Sequence, residues 1–418
     1  MKCELETYQT QQQQLSSFRI VVYAISLTPF FLFSGVESAL GETLRQAWQL
    51  GGLVLFLFVL IQDGVLVFDP CNVYFALYQI EVFVVTTIKS EFRPGILITV
   101  VANILIAFLI RNDRINFLYA ISKVMIIALL LNTVTMAVQG TGGYHKSYFI
   151  GGKNALSIML VPGIFILYLL QEELSLMAET NNYGKYLKDS ARHKRMMFYM
   201  FSAVSILSMM YGKSGTGTVM GVVTLITLLF INRIKVNKKF ILAAILAVYA
   251  VILFGDVVFK SELWISFTSM LGKDPTLTYR TEVWAGAMQI FKKSVFLGQG
   301  RIFRISYKDE FGLSYSVRET HNFILQILCE GGLIGLFLYA KAFVSSIGSL
   351  DTHKKLQKIV FIAFMLILFN GFTETVNNKL FTILLPAIAN SYLVDDIKIQ
   401  PYRNIEDPPG RFYRKADF

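Results

Sequence analysis

Charge is scarce in this chain. Of 418 residues only 16% are charged while 54% are hydrophobic, and mean hydropathy is +0.54, a balance that excludes an ordinary water-soluble domain of this size. Cysteine is scarcer still: Cys3, Cys71 and Cys329 provide neither a disulfide framework nor metal-ligand spacing, so no metal and no cofactor are expected. The residues ahead of the first apolar run, including QTQQQQ, lack the charged-then-apolar pattern and small-residue cleavage site of a signal peptide, so the first span is expected to act as an uncleaved anchor. No internal repeat is apparent.

What the chain has in quantity is apolar sequence. Runs suited to crossing roughly 30 Å of hydrocarbon lie at 18–34, 47–61, 73–88, 95–110, 115–138, 155–170, 196–211, 216–231, 240–254, 323–347, 356–372 and 381–394. The expected fold is therefore all-α, a polytopic membrane protein of about 12 transmembrane helices. Four regions follow: an N-terminal bundle over 1–254, a large extracytoplasmic loop with short helices over 255–321, C-terminal spans over 322–395 and a tail over 396–418. Lys and Arg cluster at 111–114, 185–195, 233–239, 354–358 and in the tail, whereas the alternate short loops hold isolated cations such as Arg45, Lys89 and Arg93. Cations near spans are retained in the cytoplasm, so both termini are expected there. Topology accounts for most of the formal net charge of +11, and no nucleic-acid partner is inferred from it.

The loop is where chemistry is expected. In YRTEVWAGAMQIFKK, Val283, Trp284, Ala287, Ile290 and Phe291 recur at helical spacing and make one apolar stripe. Asp274 with Pro275, or Thr278, offers a helix start, which puts Arg280 in the early turns. A cation there is disfavoured by the helix dipole unless an anion shares the place, and a guanidinium fork suits phosphate. The bland alternative is an interfacial helix whose arginine snorkels to headgroups. At the far end of the loop, Thr320 is a candidate cap that would set His321 in the first turn of the next span. A helix N-terminus disfavours imidazolium, leaving a neutral ring able to take a proton. Arg318 stands three positions earlier. Glu330, nine residues on, falls on the opposite helix face and reads as a structural partner or as part of a local break at Gly331 and Gly332.

These residues resemble a known family. His321 and Asn322, nine residues, Gly332, two residues and Gly335 are similar to the signature of the O-antigen ligase and O-antigen polymerase superfamily of bacterial surface polysaccharide enzymes. YRTEVWAGAMQIFKKSVFLGQG resembles its arginine, tryptophan and Gly-x-Gly block, GGKNALSIMLVP its asparagine-containing span start, and YGKSGTG its polar hairpin. Many members place an arginine just after that hairpin's serine. Here Gly215 stands there, with Lys213 two residues earlier as the substitute. The GKS triplet is not a phosphate-binding loop, since Leu207 occupies the position of its first glycine.

The resemblance implies a metal-independent glycosyltransferase that takes an oligosaccharide from a polyprenyl diphosphate carrier on the outer side of the cytoplasmic membrane. A polymerase passes it to a sugar hydroxyl of another lipid-linked unit, with inversion and on a GT-C-like scaffold. The ligase alternative uses a different acceptor, and a flippase for the same lipid-linked sugar is the alternative of another class. His321 is expected as general base or diphosphate contact, and Arg280 as stabiliser of the departing charge. Arg318, Lys213, Ser214, Lys153, Asn154 and Asn322 are expected to bind substrate. Expected partners are the lipid-linked oligosaccharide and membrane lipid, with a flippase and a chain-length regulator alongside.

Overall fold

The computed structural model describes residues 16–63, 68–90, 92–140, 147–180, 184–253, 262, 266, 280–308, 314–372, 374 and 384–393. Helix dominates. In chain order the helices are α1 (Ser17–Leu27), α2 (Ser34–Asp63), α3 (Pro70–Lys89), α4 (Pro94–Asn112), α5 (Arg114–Gln139), α6 (Lys153–Thr180), α7 (Gly184–Tyr211), α8 (Gly215–Leu229), α9 (Lys238–Leu253), α10 (Arg280–Lys292), α11 (Phe323–Ser346), α12 (Lys355–Asn370) and α13 (Leu385–Leu393). Among the described residues, each apolar run read from the sequence carries at least part of one of these helices. Six of them, α2 to α6 and α11, are long and apolar enough to cross a membrane.

Local sequence sets several boundaries. Asp69 caps α3 by accepting from the Asn72 amide at 2.9 Å, and Pro70 fills the first position, where a missing N–H costs nothing. Gly140 closes α5 with φ 74°. Of the helices able to span, α6 is the innermost: 89% of its most apolar stretch is buried, against 33% for α2. A helix apolar on all sides belongs in the middle of a bundle. Pro162 sits inside α6, a position that membrane helices tolerate when neighbours cover the freed carbonyl.

Two apolar clusters organise the interior. The larger one gathers around α5, α6 and α12. The smaller one joins Tyr78 and Val82 of α3, Ile158 of α6, Trp284 of α10 and Phe323 of α11, and it is this cluster that carries the loop residues.

The described part of the loop holds one helix and a two-stranded antiparallel hairpin, β1 (Ile305–Lys308) with β2 (Ser314–Val317). The sequence reading gives this loop short helices alone, and the hairpin is an addition to it. A period-two signal was present, because Ile305 and Tyr307 pair with Val317 and Tyr315 on one face of the hairpin.

The break expected near Gly331 and Gly332 is at Gly332, whose φ of 60° and ψ of −153° interrupt α11. Residues 295–300 are threaded into that gap. Gln299 N–H donates to Cys329 O at 2.7 Å and Gly300 N–H to Glu330 O at 2.9 Å; Leu333 N–H and Ile334 N–H donate back to Val295 O and Phe296 O at 2.9 and 3.1 Å. The backbone groups freed by the break are thus paired inside protein, the condition for irregular backbone at membrane depth. Gly298 has φ 67°, and a Cβ there would come within 2.6 Å of the Glu330 carbonyl carbon. The Gly-x-Gly block and the glycines of α11 are two halves of one joint.

Candidate active site

The apolar stripe of α10 is buried as its spacing required: Val283, Trp284 and Ala287 are covered. Trp284 meets Phe372 edge-on at 5.7 Å between ring centres, and Cys329 of α11 donates to the Ala287 carbonyl at 3.3 Å. That packing fixes the start of α10 beside the end of α12. Asp274, Pro275 and Thr278 lie outside the described residues. Arg280, the first residue of α10, meets an anion there. It is Glu374, four residues beyond α12, whose Oε1 accepts from Arg280 Nη2 at 2.7 Å.

His321 reaches the same carboxylate. Its Nδ1 lies 3.7 Å from Glu374 Oε2. The Glu374 side chain is 3% exposed, that of Arg280 19% and that of His321 29%, so a deeply buried carboxylate bridges two residues that remain partly open to a ligand. Three chain segments, 280, 321 and 374, meet at this point. Nδ1 of His321 is buried without a hydrogen-bond partner.

The cap expectation is corrected. Asn322, not Thr320, caps α11: its Oδ1 accepts from the Leu325 amide at 2.9 Å. Thr320 Oγ1 instead accepts from Asn322 N–H and donates to Asn322 O at 2.6 Å, closing a tight turn around the histidine. Two good capping residues stand within three positions, and Asn322 wins because its amide also donates to Phe372 O at 3.0 Å, tying α11 to α12. His321 therefore lies outside the first turn, with φ 50°. The charged group facing its Nδ1 is Glu374 rather than the helix end.

Positive φ in a residue with a side chain is uncommon and gathers at functional sites. Among the described residues it occurs at Leu32, Lys213 and His321. Lys213 is exposed at the tip of the polar hairpin between α7 and α8, and Ser214 beside it is buried. The hairpin rests on the first turns of α6, since Gly212 packs against Leu156 and Gly217 against Ser157. Lys153 and Asn154 open that same helix, and Ile158 one turn further in shares the cluster of Trp284 and Phe323. The hairpin and the Arg280–Glu374–His321 group therefore occupy the same end of the bundle. Arg318, just past β2, is exposed.

Residues 200–340 match the family model described as O-antigen ligase. That segment supports the resemblance to the O-antigen ligase and polymerase superfamily that the histidine and arginine blocks carry. No curated protein and no solved structure matches it. The family segment contains Lys213, Ser214, Arg280, Arg318, His321 and Asn322, and stops short of Glu374. With several apolar helices and this family, the chain is a multi-pass membrane protein.

Glu374 escaped sequence reasoning. It stands in NGFTETVNN, a polar stretch at the end of an apolar run, and a charge at a span boundary is too common to single out. The available signal was a demand: an arginine at a helix start needs an anion, and Glu374 is the one the fold delivers.

Proposed function

We propose that this chain is a polysaccharide polymerase that transfers oligosaccharide from a polyprenyl diphosphate carrier to a sugar hydroxyl of a second lipid-linked unit. The observation that carries the reading is the Glu374 carboxylate, which joins Arg280 to His321. In this reading the chain crosses the membrane twelve times with both termini cytoplasmic, and the site faces outward. The 255–321 loop covers the glycan.

The acceptor hydroxyl oxygen attacks the anomeric carbon, and the bond from that carbon to the diphosphate oxygen breaks. The bonding pair leaves with the diphosphate. The hydroxyl proton passes to His321 Nε2, while Glu374 behind Nδ1 holds the ring and balances the imidazolium that forms. Arg280 meets the charge building on the diphosphate, a contribution of roughly 3 to 4 kcal/mol for one preorganised donor. Lys213 and Lys153 from the neighbouring hairpin and helix, with Arg318 at the loop, supply further positive charge, and Ser214 and Asn154 offer hydrogen bonds. Asn322 acts through the turn that it caps. One displacement of this kind inverts the anomeric carbon.

A flippase for the same lipid-linked sugar is the competing class, and a simple experiment separates them. Purified protein in detergent, given lipid-linked repeat units extracted from cells that lack this chain, is expected to lengthen the glycans. A flippase makes no product in detergent, and an absence of lengthening by folded protein would overturn the proposal. A ligase would leave the repeat units unextended and require a different acceptor.

A further inference from the structure

Behind His321 lies a buried polar chain that the reaction does not touch. Thr320, the residue before the histidine, donates its N–H to Gln326 Oε1 at 2.9 Å. A backbone N–H accepts nothing, so the Gln326 amide is oriented, and its Nε2 must point the other way. There it donates to Glu330 Oε1 at 2.7 Å. Glu330 Oε2 faces Arg301 Nε at 3.9 Å. Arg301 is tied to α3 twice, through its N–H to Thr86 Oγ1 at 2.9 Å and its Nη2 to Gln79 Oε1 at 3.2 Å. Gln79 in turn accepts from Asn103 of α4 at 3.2 Å. Thr320, Gln326, Glu330, Gln79 and Asn103 are all buried.

A charged pair at such depth is costly, and apolar packing alone would hold two helices together more cheaply. What the pair provides is direction. His321 stands in a left-handed backbone conformation, which persists only when its surroundings over-determine it. Asn322 is fixed on one side by its cap and by Phe372 O. Thr320, on the other side, is held from within α11 by the Gln326 bond.

We propose that Gln326, Glu330 and Arg301 are positioning residues for His321: the chain from α3 through Arg301, Glu330 and Gln326 to the Thr320 amide sets the turn that aims the imidazole at Glu374. The inference deepens the glycosyl-transfer reading and rests on it for its kinetic consequence, though not for its geometric one. The Gly-x-Gly joint has a role here too, since Gly300, bonded to the Glu330 carbonyl, delivers the next residue, Arg301, beside the break in α11.

The test uses the full chain in detergent with its four histidines labelled with 15N, the His321 ring signal being assigned by its loss in His321→Gln. Gln326→Ala removes the link, and Gln326→Glu, nearly the same size, keeps the acceptor for Thr320 while repelling Glu330. In whichever folds, the His321 signal is expected to shift. With extracted lipid-linked repeat units kcat is expected to fall about 10- to 100-fold with KM within about 3-fold, the scale of a misplaced catalytic group. Glu330→Gln still accepts from Gln326 but turns an N–H donor toward Arg301, so it is expected to shift the His321 signal in the same direction by a smaller amount, while Glu330→Ala behaves like Gln326→Ala. An unmoved His321 signal in the folded Gln326 variants overturns the inference whatever the activity. Normal chain lengths from His321→Ala would instead sink the transfer reading and leave the ring-signal test intact.

Discussion

The two ends of the helical bundle treat charge differently. At one end several cations are matched by carboxylates in closed networks. Arg114 donates to Glu173 at 2.7 Å and to the Ser391 carbonyl at 2.6 Å, lies over the Tyr392 ring at 4.0 Å, and Tyr392 itself donates to Glu173 at 2.6 Å. Arg19 bridges Asp63 and Asp113 at 2.6 and 3.1 Å, Arg111 pairs with Asp69, and Lys355 meets Glu172 at 2.6 Å. These bonds tie the ends of α1, α2, α4, α5, α6, α12 and α13 together. At the other end one buried carboxylate, Glu374, serves Arg280 and His321 at once, the imidazole has a buried nitrogen with no hydrogen bond, and Lys213 and Arg318 are exposed. The first arrangement is complete without a ligand. The second has cationic and imidazole groups still available to an anionic substrate, and two of the residues held at positive φ, Lys213 and His321, are ones the sequence pattern singles out.

Substitutions at the two ends should therefore separate activity from stability. His321→Ala is expected to give the largest loss, about 10²- to 10⁴-fold in product formation, with an unchanged elution profile on size exclusion. Arg114→Ala strands the buried Glu173 carboxylate and is expected to cost about 3 to 5 kcal/mol of stability, read as a lowered unfolding temperature in detergent. Product formed per folded molecule should stay within about twofold, and a rate loss as large as that of His321→Ala would erase the distinction between the ends. Arg280→Lys keeps the charge and loses the fork that spans Glu374 and a phosphate, so kcat is expected to fall about 10- to 100-fold. Lys213→Ala removes one exposed cation of several and is expected to raise KM by only about 3- to 10-fold, more at low than at high salt.

Much of this was legible in the residues, for identifiable reasons. Lipid demands long apolar helices, so α3 to α6 and α11 announced themselves by run length alone. Arg280 and His321 stood out because each is an expensive choice for its place. Glu374 was hidden, because its meaning depends on a partner 53 positions away in sequence and nothing local marks that pairing. The cap at Asn322 was misjudged for a related reason: Thr320 and Asn322 are equally good caps locally, and the contact with Phe372 that decides between them is tertiary. The short hairpin was overlooked although Ile305, Tyr307, Tyr315 and Val317 alternate as strands do. The glycines at 298 and 332 were noted as a pattern, yet only the threading of 295–300 through α11 explains why both must lack a side chain.

Residues that act as one unit lose function together rather than in proportion. A double-mutant cycle of His321→Ala and Glu374→Ala, scored by glycan lengthening in detergent, puts that property to the test. If Glu374 works by holding the imidazole and Arg280 in place, the loss in the double variant will fall well short of the product of the two single losses. Losses that multiply would show that the two residues act independently, and the shared site described here would then be wrong.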